Sequence, residues 1–160
     1  MLVNSIVLSK FDYADVVYGT YLDQTDVTKI QRAQNACLRF ALNLKRFDHI
    51  SHLYPSINWL NMKDRRDLHL LILTHKTITT GNPAYLCEKL LQRSKVHNIN
   101  IRTKQNLTIH KHKTTLFKRS FTYNAAKLYN SLTNELKVIQ PKLFNKTLKL
   151  DMLNARWIKL

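Results

Sequence analysis

The chain has 160 residues, of which 44% are hydrophobic, two are glycine and three are proline. This length suits one domain with a substantial core, the apolar content excludes a disordered chain, and the scarcity of turn residues favours helices. Twenty-six Lys and Arg residues against ten Asp and Glu residues give a net charge of +16. This charge predicts an anionic partner such as nucleic acid, and the alternative is a basic surface without a specific partner.

The first distinctive segment is KFDYADVVYG at residues 10–19, and residues 2–9 before it are predicted to form a short helix or the end of a longer one. Its YADV tetrapeptide is similar to the Tyr-x-Asp-Asp turn that holds Mg²⁺ in polymerases, but Val16 stands where the second carboxylate would be. One carboxylate cannot form a two-metal site, so we expect no catalytic centre there. We predict instead an extended or turn-like, buried aromatic segment with a capping or hydrogen-bonded Asp.

An amphipathic helix is predicted from Asp23 to about Leu42, with Asp23 or Thr25 as its N-terminal cap. The predicted buried face consists of Val27, Ile30, Gln34, Cys37, Leu38, Ala41 and Leu44. The predicted exposed stripe consists of Gln31, Arg32, Asn35 and Arg39. Residues at this spacing share one side of a helix, so the stripe is either solvated or in contact with phosphates.

A second helix is predicted from about Asn61 to Thr79, after a boundary at Pro55. It is apolar nearly all round, which places it in the middle of the core. Gly81 predicts where it stops, and Pro83 predicts the start of a third helix over residues 84–92.

The pattern changes between Ser94 and Arg119, where short apolar and polar residues alternate and β-branched residues are frequent. This alternation predicts one or two short strands or an extended basic arm. Two further helices are predicted at residues 120–132 and 142–153. The first of these should bury Phe121, Ala125, Leu128 and Leu132.

Together these elements predict a mainly α, compact helical domain with a small extended or β element near residues 95–119. We expect a single helical domain over residues 1–160. Its parts are a helical core over 1–93, a basic extended segment over 94–119 and C-terminal helices over 120–160.

Motifs for metal binding and covalent catalysis are weak in this sequence. The histidine pairs His49/His52 and His110/His112 lack the neighbouring cysteine pair of a zinc site. Neither a Gly-x-Ser-x-Gly motif nor a glycine-rich phosphate loop occurs. We therefore expect no metal, no cofactor, no catalytic residue and no enzyme activity of the isolated chain.

The basic residues are concentrated where acids are missing, since no Asp or Glu occurs between Glu88 and Glu135. The segment TTLFKRSFTY interleaves Phe117, Phe121 and Tyr123 with basic residues, so these rings either stack on bases or anchor the following helix in the core. The first candidates for phosphate contacts are Lys111, Lys113, Lys118 and Arg119, followed by Arg65, Arg66, Arg102 and Lys104.

Four blocks in this order resemble the region that follows the palm in reverse transcriptases of non-LTR retrotransposons of the LINE or jockey type. The blocks are NSIVLSKFDYADVVYG, VTKIQRAQNACLRFALNL, INWLNMKDRRDLHLLILTHKTITTGNPAYL and SFTYNAAKLYNSL. The chain departs from the family at Thr133 and Asn61, where relatives usually carry proline, and it lacks the zinc knuckle of some relatives.

The resemblance implies a largely helical, thumb-proximal C-terminal region that helps to hold the RNA template and DNA primer. The catalytic aspartates would belong to an upstream palm, which would also be its protein partner. The expected function is therefore binding of RNA or an RNA–DNA hybrid by a fragment of a longer polymerase. The alternative is a helical structural or protein-interaction module, a relic of such an element, that binds no nucleic acid.

The expected location is intracellular, and reverse transcription by such elements implies access to the nucleus. The N-terminal MLVNSIVLSK lacks the basic region of a signal peptide, and no other targeting signal is visible. The longest aliphatic run, Leu70 to Leu73, is far too short to span a bilayer, so no membrane association is expected.

Overall fold

The computed structural model describes residues 4–96, 104–111 and 113–157, and the regular structure in these residues is helical. The α-helices are α1 (Ser9–Asp12), α2 (Asp15–Tyr18), α3 (Gln24–Ala41), α4 (Leu53–Ser56), α5 (Met62–Thr80), α6 (Ala84–Lys89), α7 (Arg93–Val96), α8 (Thr115–Lys118), α9 (Phe121–Ser131), α10 (Asn134–Val138) and α11 (Pro141–Trp157). A π-helical turn (Asn4–Leu8) precedes α1, and a 3₁₀ turn (Gly19–Tyr21) follows α2. The described residues contain no strand, so the mainly α prediction is confirmed.

The chain divides into two compact units, Met1–Arg66 with Leu150–Leu160, and Asp67–Lys149. We call them the first and the second unit. The prediction of one domain over the whole chain stays a prediction.

The core of the first unit is built on α3, which begins after Asp23 and ends at Ala41, as its periodicity predicts. Asp23 has an extended backbone conformation, but its side chain makes no capping hydrogen bond. The buried cluster consists of Leu8, Leu38, Ile50, Tyr54 and Trp59. Leu38 is fully buried there, so truncating it to alanine would cost about 2–5 kcal/mol of stability.

The YADV segment takes the turn-like alternative of its prediction, because α1 and α2 are single helical turns and not extended chain. Ala14 joins them with φ at 53°, in the left-handed region that L-residues occupy at a cost. Tyr13 is exposed, so the prediction of a buried aromatic segment is wrong for this residue. Asp15 is buried, and Asp12 is hydrogen-bonded to Arg65 through both carboxylate oxygens, as expected for a structural Asp.

The second unit contains most of α5, which ends where Gly81 adopts a left-handed conformation with φ at 71°. Both bounds of α5 lie within one residue of the predicted ones, and α6 begins at Ala84, directly after Pro83, as predicted. In α9 the buried residues are Ala125, Ala126 and Tyr129, whereas Phe121, Leu128 and Leu132 are half-buried. The predicted face is thus confirmed at Ala125, whereas Phe121, Leu128 and Leu132 are only partly covered and the large Tyr129 ring is buried in their place.

The predicted extended element is represented by backbone pairing between residues 91–94 and 104–108. Gln92 and Leu107 form an isolated antiparallel bridge, and the Thr108 amide donates to the Leu91 carbonyl over 2.8 Å. The single helical turn α7 begins within the first of these segments, and the single turn α8 follows the second. Residues 97–103 of the predicted arm lie outside the described residues.

Candidate functional site

Five of the predicted phosphate-binding residues have exposed side chains in the second unit. They are Lys104, Lys111, Lys113, Lys118 and Arg119. The four lysines form no ion pair within residues 4–96, 104–111 and 113–157, where the salt bridges are Lys29–Asp26 and Arg65–Asp12. Their charges are therefore available to an external anion.

Two helix caps position the backbone around Lys118 and Arg119. The Thr114 hydroxyl accepts from the Phe117 amide at the start of α8, and the Ser120 hydroxyl accepts from the Tyr123 amide at the start of α9. Such caps satisfy amides that would otherwise lack partners. Asn124 Nδ2 also donates to the Lys118 carbonyl over 2.9 Å. The turn that carries the two basic residues is thus held at both ends.

The aromatic rings near these basic residues contact each other. The rings of Phe117 and Tyr123 meet edge to face, with centroids 6.3 Å apart, and Phe121 is half-buried like both of them. This contact covers part of each ring, and base stacking by the remaining surface stays a prediction.

The other predicted site residues are placed differently. Arg65 lies in the first unit and makes a bidentate pair with Asp12, which occupies its planar fork. Arg66 is only 8% exposed, and its Cδ and Nε lie so close to Gly19 that a Cβ there would overlap them. Arg102 lies outside the described residues.

Arg66 also affects the neighbouring phenol of Tyr18. Burial raises the pKa of Tyr18, the charge of Asp15 raises it further, and the guanidinium of Arg66 opposes both effects. The side chain of Arg66 therefore contributes to the interior electrostatics of the first unit.

A second feature of the first unit is a cavity of about 250 Å³ between α3 and the segment around α4. Its walls are the residues Gln31, Asn35, Ile50, Ser51, His52, Tyr54, Pro55, Trp59, Asn61 and Leu153. The lining thus combines three side-chain amides with the rings of His52, Tyr54 and Trp59, one serine hydroxyl and several aliphatic groups, and it contains no Asp, Glu, Lys or Arg.

A polar network holds the amides of this cavity in place. Gln31 Nε2 lies 2.8–3.0 Å from the Tyr54 hydroxyl, Asn35 Oδ1 and Gln34 Oε1. The Tyr54 hydroxyl also donates to Asn35 Oδ1, and Gln34 Nε2 donates to the Leu60 carbonyl over 2.9 Å. The Met62 amide donates to Gln31 Oε1 over 2.9 Å. Buried polar groups that are satisfied in this way stiffen the structure around them.

Sequence reasoning missed this network, because it assigned Gln31 and Asn35 to an exposed stripe. Both residues are half-buried, and Gln34 is fully buried. The available signal was the spacing of the three amides at residues 31, 34 and 35, which places them on one side of a helix. Three amides on one face of a helix are either solvated or hydrogen-bonded to one another in a network. The sequence does not distinguish these cases, because Tyr54, which joins the three amides into a network, is distant in sequence.

The interior of the second unit contains another polar cluster, around His75. His75 Nε2 donates to the Ile139 carbonyl over 2.8 Å, and its ring stacks on Phe144 with centroids 4.0 Å apart. Burial lowers the pKa of His75, whereas the bond to Ile139 opposes this shift. Burial also raises the pKa of Tyr129, next to His75, to about 12. Both groups are therefore neutral near pH 7.

Asn130 and Lys137 complete the polar interior of the second unit. Asn130 accepts from the Leu107 amide over 2.7 Å and donates to the Leu107 carbonyl over 3.0 Å. Lys137 Nζ donates to Asn106 Oδ1 over 2.8 Å and lies 5.8 Å from the centre of the Tyr129 ring. Burial lowers the pKa of Lys137. These contacts fix the segment around Leu107, on which Lys104 and Lys111 are carried.

In the described part of the chain, no helix combines the length and the apolar character needed to cross a bilayer. Comparison of the chain with protein-family models, curated proteins and solved structures gives no match.

Proposed function

We propose that the chain binds the phosphate backbone of RNA or an RNA–DNA hybrid through exposed basic side chains of its second unit. In this proposal it is the thumb-proximal, C-terminal region of a non-LTR retrotransposon reverse transcriptase, and it has no polymerase activity of its own. The resemblance of four sequence blocks supports the family, and the charge distribution supports the binding.

The observation that carries the binding proposal is the absence of neutralising acids. No Asp or Glu occurs between Glu88 and Glu135, while Lys104, Lys111, Lys113 and Lys118 are exposed and free of ion pairs in the described ranges. Lysines without internal partners lose no salt bridge when they meet a phosphate. They also release condensed counterions from the nucleic acid, which supplies most of the affinity of such contacts.

The test is a salt series with a labelled RNA–DNA hybrid. Six to ten phosphate contacts predict a loss of affinity of roughly a thousand-fold or more between about 50 and 200 mM salt. Replacing Lys111, Lys113, Lys118 and Arg119 with alanine should reduce the slope of log K against log salt by about 3 to 4. Addition of Mg²⁺, a primer-template and nucleotides should give no primer extension.

A matched control removes the same charge from the first unit. Lys10, Lys45, Arg46 and Lys63 are exposed there, and alanine at all four also removes three lysines and one arginine. This control should keep a slope close to that of the wild type. Equal slopes for the wild type and the second-unit variant, or no binding at all, would contradict the proposal.

A protein-interaction module is the second candidate, and large apolar side chains exposed in the first unit favour it. Phe40 is 86% exposed and Phe47 is 87% exposed. Exposed aromatic residues are enriched at protein interfaces. In the reverse transcriptase proposal the upstream polymerase domain would be their partner, and a chain that failed to bind the hybrid would be assigned this role alone.

A further inference from the structure

We propose that the amide-lined cavity of the first unit binds one unpaired nucleobase. The lining contains no Lys or Arg to anchor a phosphate or a carboxylate, so we assign it a ligand without such a group. A volume of about 250 Å³ lies just below the range of roughly 300–1,000 Å³ for pockets of drug-sized ligands, so the occupant is a single small ring system.

Two of the side-chain amides that line this cavity have an unused donor. Asn35 Oδ1 accepts from Gln31 and Tyr54, and this orientation directs the Asn35 Nδ2 group away from the network. Asn61 Oδ1 accepts from the Asp64 amide over 2.7 Å, which fixes that amide in the same way. Within the described residues neither Nδ2 group has a hydrogen-bond partner. The lining therefore offers two donors to the acceptor atoms of a ligand.

The rest of the lining suits a flat ring. Tyr54 and Trp59 provide aromatic surface, and Ile50, Pro55 and Leu153 provide aliphatic contacts. Every nucleobase combines a flat heteroaromatic ring with ring-nitrogen or carbonyl acceptors on its edge. Proteins recognise unpaired bases by this combination of apolar or aromatic surface and side-chain hydrogen bonds.

The base is the preferred small ring because the chain is strongly cationic, and this choice rests on the proposed nucleic-acid binding. On α3 the exposed Arg32 lies three residues before Asn35 and therefore on the same side of the helix. Its charge can meet the phosphate that is attached to the nucleoside in the cavity. This assigns Asn35 and Asn61 to the base of a single strand and Arg32 to its backbone.

The first experiment uses neutral nucleosides and does not depend on phosphate contacts. Uridine or cytidine is titrated into ¹⁵N-labelled protein at about 1 M salt, where the Debye length is about 3 Å. The side-chain NH₂ signals of Asn35 and Asn61 should shift saturably, with a dissociation constant of roughly ten to two hundred millimolar. Ribose alone should leave both signals unchanged.

The second experiment compares a short single-stranded RNA with an abasic oligomer of the same length. Loss of the base should weaken binding by about 5- to 150-fold. A Trp157→Phe variant leaves Trp59 as the sole tryptophan, and its emission should change with the RNA and not with the abasic oligomer.

Two variants test the location of the site. Asn35→Asp keeps an oxygen acceptor for Gln31 and Tyr54 and removes the free donor, and Ser51→Phe fills the mouth from an exposed lining position. Both should abolish the nucleoside shifts. Ser56→Phe, at an exposed position of α4 outside the lining, is the matched control and should keep them.

The outcomes separate the two proposals. Nucleoside shifts without binding of either oligomer would retain the base site and overturn the phosphate-binding proposal. Equal binding of both oligomers with no nucleoside shifts would overturn the base site and retain phosphate binding. Shifts that survive in Asn35→Asp and Ser51→Phe, or that ribose alone produces, would also overturn the base site.

Discussion

Asn130 offers the sharpest test of how the second unit is held together. Its side chain satisfies both backbone groups of Leu107, whose side chain is 0% exposed. An Asn130→Ala variant leaves a buried N–H and a buried C=O without partners. Each such group costs about 1–3 kcal/mol, and since Asn130 is half-buried and water can reach part of the site, we expect a total loss of about 2–4 kcal/mol.

A graded variant separates the two bonds. Asn130→Asp keeps an oxygen that accepts from the Leu107 amide but has no N–H for the carbonyl, so it should lose about half as much stability as the alanine variant. Asn124 is the matched control, because its amide also donates to backbone carbonyls, but at a less buried position. Asn124→Ala should lose only about 0.5–1.5 kcal/mol, the net value of an ordinary hydrogen bond.

The assay is urea unfolding followed by circular dichroism, with the slope of the free energy against urea compared between variants. A change in midpoint at constant slope reports the loss of stability directly. The reasoning is refuted if Asn130→Ala loses less than about 0.5 kcal/mol, or if the aspartate and alanine variants lose equal amounts.

Two further predictions concern protonation and backbone strain. Burial lowers the pKa of His75 below its ordinary 6.5, so the unfolded chain binds a proton more readily than the folded chain does. The free energy of unfolding should therefore decrease as the pH is lowered from about 6.5, and this group contributes at most about 1.4 kcal/mol per pH unit. A His75→Gln variant, which can still donate to Ile139, should show a shallower fall in urea unfolding across pH 5–7, and an unchanged pH dependence would contradict the assignment. Ala14→Gly should raise stability by about 0.5–1 kcal/mol in thermal unfolding, because the strain of the left-handed conformation that glycine removes is larger than the backbone entropy that glycine loses on folding. The control Ala36→Gly, on the exposed side of α3, should lower stability by about 1 kcal/mol. A loss of stability in both variants would be inconsistent with strain at Ala14.

Long periodic segments were predictable from the sequence. The bounds of α3 and α5 follow from apolar spacing and from Gly81, since these signals are local and repeat over many residues. The α1–α2 segment was not predictable, because each turn is a few residues long and depends on Ala14 adopting a rare conformation. The face of α9 was displaced because Tyr129, which can face either water or the core, is buried through contacts with the distant His75.

Some features of the candidate sites could also be predicted from the sequence, and others could not. Exposure of the lysines at 104, 111, 113 and 118 could be anticipated, since unpaired charges avoid the interior. The burial of Arg66 could not, because it depends on the space above Gly19, a residue distant in sequence. The cavity also could not be predicted, since it forms where residues of α3, the α4 segment and Leu153 meet.

The two hydrogen bonds from the Asn130 side chain to the backbone of Leu107 affect how the neighbouring lysines can bind a phosphate. Leu107 is a fixed point, and Lys104 and Lys111 lie on the chain on either side of it. A lysine on a free tail must give up backbone entropy when it meets a phosphate, and that loss is subtracted from affinity. Here the backbone between the two lysines is already restrained when the protein folds. The two hydrogen bonds of the Asn130 side chain therefore act as a form of preorganisation, because they reduce the entropic cost of the contacts made by the flanking charges.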